Sequence, residues 1–144
     1  MPFNFAAEEL GYNSIGSFID VFPSYQLTVL SAKRSWAEKN RRTLVRFLVA
    51  YARATRWLFE NPEPAIDFIT SEFNFKPAHA RKAWQFYTGS HIWDPDAHVS
   101  AEGLRAVIQM AAEQNQTKGP LPNPAKYVDE SYLNEALKEL KESR

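Results

Sequence analysis

Tyr25-Gln26-Leu27-Thr28-Val29-Leu30 is the stretch on which the fold class turns. It is β-branched and aromatic, and Tyr25, Leu27 and Val29 alternate onto one face, the period-two pattern of a half-buried strand. The segment predicts a strand. A lone strand leaves a row of backbone donors and acceptors unsatisfied, so this one needs a partner. That partner would be the irregular N-terminal segment, a second copy of the chain, or sequence beyond these 144 residues.

Upstream, residues 1–24 are punctuated by Gly11, Gly16 and Pro23. The broken apolar run Ile15–Phe22 reads as extended chain or a short strand. The opening Met1–Leu10 has neither a basic n-region nor an apolar h-region, so it does not read as a signal peptide.

Downstream the period changes to helical. Ser35 and Glu38 have capping-box spacing, which predicts a helix start. Leu44, Phe47, Leu48, Tyr51 and Leu58 carry its stripe as far as Asn61, widened by Val45, Val49 and Ala52. Pro62 ends that helix, and Asn61-Pro62 suits the N-cap and first position of the next, with Ile66, Ile69 and Phe73 on its apolar face. Pro77 opens a helix with Ala80, Ala83, Trp84 and Tyr87, which Gly89 stops. Ser100 caps another with Leu104, Val107, Ile108 and Ala111. Gly119–Pro124 excludes helix and central strand, so it is a surface connection. Asp129 caps a last helix striped by Leu133, Ala136, Leu137 and Leu140, with Lys138 and Lys141 near its C-terminus, where the helix dipole favours cations. The expected architecture is one domain, 1–144, of α+β class and predominantly helical. An irregular and strand segment fills 1–34 and helices fill 35–144.

Hydrophobic residues make up 44% of the chain and aromatics 14%, enough for an aromatic-rich core. Seventeen basic and seventeen acidic side chains cancel. Nucleic-acid binders carry a basic excess to neutralise phosphates, so nucleic acid is not an expected partner. No apolar run approaches the roughly 18 residues of a membrane span. With no cysteine there is no disulfide framework, thiolate metal site or cysteine nucleophile.

His91-Ile92-Trp93-Asp94-Pro95-Asp96-Ala97-His98 gathers two imidazoles and two carboxylates, a donor set that suits a zinc-like ion. Asp94-Pro95 and Asp96 equally suit a plain turn, and no His-x-x-x-His spacing is present. The plain turn is the reading adopted, with no metal site and no cofactor. Arg42, Arg46, Arg53 and Arg56 fall near one side of the long helix. They suit a solvated face, with Glu38 and Arg42 as a surface pair at i, i+4. No nucleophile elbow, phosphate loop, zinc-protease motif or dinucleotide fingerprint is found, so an enzyme is not expected.

One family has a similar order of features. Ala7-Glu8-Glu9-Leu10-Gly11-Tyr12, Pro23-Ser24-Tyr25-Gln26, the helix Asn40–Tyr51, Asn61-Pro62-Glu63-Pro64-Ala65-Ile66, Gly103-Leu104 and Tyr127-Val128-Asp129 follow one another along most of the chain. This succession resembles the C-terminal half of two-domain ABC-transporter solute-binding proteins of the nitrate/sulfonate/taurine and thiamine-precursor type. The resemblance implies non-covalent binding of a small molecule, an ABC permease as partner and a periplasmic location. It places Tyr12, Phe18, Asp20, Phe22, Ser24 and Tyr25 at a crossover bordering the ligand cleft. Tyr12 and Tyr25 would sandwich an apolar or cationic group, and Asp20 would accept from an amine. Packing of Tyr12 and Tyr25 against the helices is the alternative for those rings. The alternative function is a stand-alone helical interaction module that forms a homodimer through its exposed strand. An enzyme built on the His91–His98 loop is a third.

Overall fold

The structure is a computed structural model and describes residues 3–142. Eight α-helices are formed among the described residues: α1 Phe3–Glu9, α2 Phe18–Val21, α3 Arg34–Lys39, α4 Arg41–Glu60, α5 Pro62–Phe73, α6 Pro77–Gly89, α7 Ala101–Gln114 and α8 Ser131–Glu142. A 3₁₀ turn covers Pro124–Lys126. None of the described residues is in a strand, so the chain is all-α and the α+β expectation is overturned.

The reason lies on both sides of Tyr25–Leu30. The run Ile15–Phe22, its nearest prospective partner, instead turns into α2. Asp20 Oδ2 accepts from the Ser17 N–H at 3.1 Å, the reach-back half of a capping box. Ser24 and Gln26 are then held by side-chain bonds to Ser100 at the start of α7, and Tyr25 by Met110 farther along it, rather than by a ladder. β-propensity without a pairing edge does not make a sheet.

The long helix expected from Ser35 to Asn61 is broken at Asn40. Asn40 Nδ2 and the Asn40 N–H both donate to the Trp36 carbonyl, at 2.9 Å each. That ends α3, and the Asn40 carbonyl accepts from the Leu44 N–H to begin α4. Ser35 is not the cap. Lys33 holds that position with no side-chain bond. The break also separates Glu38 from Arg42, and no ion pair joins them among the described residues.

The local stop and start signals hold elsewhere. Asn61 and Pro62 take the N-cap and first position of α5. Pro77 opens α6, and Ser100 Oγ accepts from the Gly103 N–H at 3.0 Å at the head of α7. Asp129 lies one residue farther out than expected from α8, where its Oδ1 accepts from the Ser131 N–H at 3.0 Å. The Ser131 hydroxyl, followed by that backbone bond, holds the Asp129 carboxyl below its usual value.

The chain divides into two compact units. The first holds the residues up to Gly16 together with Tyr51–Ala97, hence α1, the second half of α4, α5 and α6. Its interior is built on small residues. Ala52, Ala65, Ala80 and Ala83 are buried with Ile66, while Phe68 and Phe73 stay exposed on α5. Asn74, in the left-handed conformation at φ 53°, ends α5. Trp84 Nε1 donates to the Leu58 carbonyl at 2.9 Å, and Arg81 grips Glu63 through two nitrogens at 2.6 Å each.

The second unit holds Ser17–Ala50 and the residues from His98 onward. Its core joins Ala37, Val45, Tyr132 and Ala136, with Leu44, Leu48 and Val49 packed against them. The stripe Leu133, Ala136, Leu137 and Leu140 is buried as its spacing requires. Phe47, expected on the apolar face of α4, is instead exposed, because the buried line of that helix runs through Val45 and Ala52, seven residues apart. Arg41 lies 4.4 Å over the Tyr132 ring and bonds Glu135 at 2.7 Å.

Candidate functional site

In the second unit the chain that leads into α3 lies against α7 at one end and stands free at the other. Gln26 Oε1 accepts from the Ser100 N–H at 2.9 Å, and the hydroxyls of Ser24 and Ser100 are 3.2 Å apart. The Tyr25 hydroxyl points to Met110 Sδ at 3.7 Å. Gly103 is required for this approach, since a Cβ there would come within 2.8 Å of the Gln26 backbone nitrogen.

Beyond Gln26 the contacts stop. Leu27, Val29 and Leu30 are 76%, 56% and 55% exposed. No backbone–backbone hydrogen bond joins any of Leu27–Ala32 among the described residues. The Gln26 amide donates to the Thr28 carbonyl at 2.7 Å. An apolar segment with open backbone groups is a template for strand addition.

The residues singled out from the sequence take these places. Tyr12 belongs to the first unit and is exposed. Asp20 and Tyr25 belong to the second. Asp20 is engaged by the Ser17 N–H, and Tyr25 stacks edge-on to Phe18 at 5.1 Å and lies 6.0 Å from Phe22. In the loop Ser90–Val99, Asp94 Oδ1 accepts from the Asp96 N–H at 2.8 Å, the bond of a plain turn. Arg56 holds Asp96 at 2.6 Å, and Trp93 stacks on Tyr87 at 4.5 Å. No group of three or more metal-ligating side chains occurs among the described residues. Arg42, Arg46 and Arg53 are exposed.

A second arrangement was not visible in the sequence. In the first unit, Glu9 of α1 receives Lys76 Nζ at 2.6 Å on one oxygen and His79 Nε2 at 3.0 Å on the other. The Lys76 hydrogen bond, with His79 beside it, holds the Glu9 carboxyl below its usual value. An open groove of about 370 Å³ lies there, lined by Phe5, Glu8, Glu9, Lys76, Ala78, His79 and Lys82.

No family model, curated protein or solved structure matches the chain. The geometry is therefore the ground for a functional reading. No helix among the described residues is long and apolar enough to cross a membrane.

Proposed function

We propose that this chain is a helical association module that dimerises by antiparallel pairing of Leu27–Ala32 with the same segment of a second copy. The observation that carries the reading is the conjunction of exposed Leu27, Val29 and Leu30 with a backbone that bonds to no other backbone. Self-pairing satisfies both copies reciprocally, and two-fold dimers are the commonest oligomers. Anchoring of Ser24, Tyr25 and Gln26 on α7 fixes the start of the segment in advance, which lowers the entropy cost of pairing. No chemical step is involved. Light scattering over a concentration series tests it. A dimer is expected, and Val29→Lys restores the monomer with unchanged helix content, because the side chain lies outside every helix and is 56% exposed within one copy. A monomer at every concentration sinks the reading.

The second reading is the import role implied by the resemblance: non-covalent capture of a small solute for an ABC permease, in the periplasm. In its favour, two of the elements quoted for the resemblance, Pro23–Gln26 and Gly103-Leu104, lie against each other. Titration with small sulfonates, nitrate and heterocycles tests it. Binding weakened by Tyr25→Ala or Asp20→Asn supports it, and an absence of binding removes it.

A further inference from the structure

Two helix faces make the groove of the first unit. On α1, Phe5, Glu8 and Glu9 share a face at i, i+3 and i+4. On α6, Ala78 and His79 lie four and three residues before Lys82 and share its side of the helix, with Lys76 just before the helix. The volume, about 370 Å³, is within the range of small-molecule sites.

The charges divide into committed and uncommitted groups. Glu9 is satisfied on both oxygens, by Lys76 and by His79, which is only 8% exposed. These three hold α1 to α6. Glu8 forms no ion pair among the described residues. The Lys82 ammonium meets no carboxylate among the described residues and rests 5.7 Å from the centre of the Phe5 ring. Among the described residues the groove thus keeps an anion on α1 and a cation on α6 without an ion-pair partner, and an aromatic ring beside the cation.

We propose that this groove binds a small zwitterion, a free amino acid with an apolar side chain. Glu8 receives the ammonium, Lys82 receives the carboxylate, and the Phe5 ring receives the apolar body. Charge-assisted bonds at both ends set the selectivity. A simple anion satisfies Lys82 but meets Glu8 as a like charge. A simple cation meets the converse, and a neutral molecule leaves both groups without a counter-charge. The site involves none of the residues of the proposed dimer segment, so the two proposals stand or fall separately.

The test is a titration of isotope-labelled full chain with L-phenylalanine, L-leucine, acetate, ethylamine and N-acetyl-phenylalanine amide, followed by amide chemical shifts. Saturable shifts confined to residues 5–9 and 76–82 are expected with the two amino acids. The single-charge and blocked compounds should bind at least about tenfold more weakly. Glu8→Gln and Lys82→Met should each weaken phenylalanine binding about tenfold, and Lys82→Arg should retain much of it. Both positions are exposed, so the variants keep their fold and their spectra report binding alone. The proposal is overturned by an absence of saturable shifts with either amino acid up to about 10 mM. Equal binding of acetate, or variants that bind as the parent does, would overturn it as well.

Discussion

Gly103 faces the backbone of Gln26 so closely that a Cβ at position 103 would stand 2.8 Å from the Gln26 nitrogen and 3.1 Å from the Tyr25 carbonyl carbon. Glycine-to-alanine changes within helices ordinarily stabilise by about 0.5–1 kcal/mol. Here the neighbour is backbone and has to move. Gly103→Ala is expected to destabilise the second unit by about 1–3 kcal/mol, read as a lower thermal midpoint. A raised midpoint would show that the 24–26 segment shifts freely.

The second prediction concerns the core. Val45 is 1% exposed and packs with Ala37, Tyr132 and Ala136. Val45→Ala removes two methyl-sized groups and leaves space that neighbouring alanines cannot fill. A loss of about 2 kcal/mol is expected by urea denaturation, with an unchanged slope.

Trp84 offers a separate test in the first unit. Its ring nitrogen satisfies the Leu58 carbonyl two residues before α4 ends. Trp84→Phe keeps a ring and loses the donor, at an expected cost of about 1 kcal/mol by thermal denaturation. Trp84→His would recover part of it where the imidazole reaches the same oxygen.

Acid should loosen α1. The Glu9 carboxyl is held below its ordinary value, first by Lys76 and then by His79. A depressed value in the folded state gives stabilisation that is complete above the unfolded value. It is lost as the pH falls through the folded one. Amide shifts of residues 3–9 are therefore expected to move toward unstructured values in strong acid while those of α8 stay in place. Glu9→Gln should show this loosened state already at neutral pH, with little further change on acidification.

What could be read from the sequence was local. Pro62, Pro77 and Ser100 act within one turn of their own position and open their helices as expected, while Asn61 takes the N-cap position with its side chain turned back to the Trp57 carbonyl. Asn40 was missed because its effect depends on a side chain competing with the backbone for the Trp36 carbonyl, inside an otherwise unbroken helical pattern. Tyr25–Leu30 was misread because strand propensity describes a surface that fits a sheet, and no sheet is there. The Glu9–His79 contact spans about seventy positions, and no periodicity joins α1 to α6 across that distance. The one available signal was the grouping of Phe5, Glu8 and Glu9 on a single helical face.

The interior of the first unit rests largely on alanine, the second encloses Ala37 and Ala136 among larger side chains, and this adds small residues to the positions a lineage keeps. Ala52, Ala80 and Ala136 are wholly enclosed, while Phe3, Phe68, Phe73 and Leu27 face outward. An added methyl at an enclosed alanine has no room, whereas an outward phenylalanine can be exchanged at little cost to the fold. Descendants of this sequence would hold these alanines as fixed as the buried Val45 and Leu140, and the outward rings would drift except where a partner selects them.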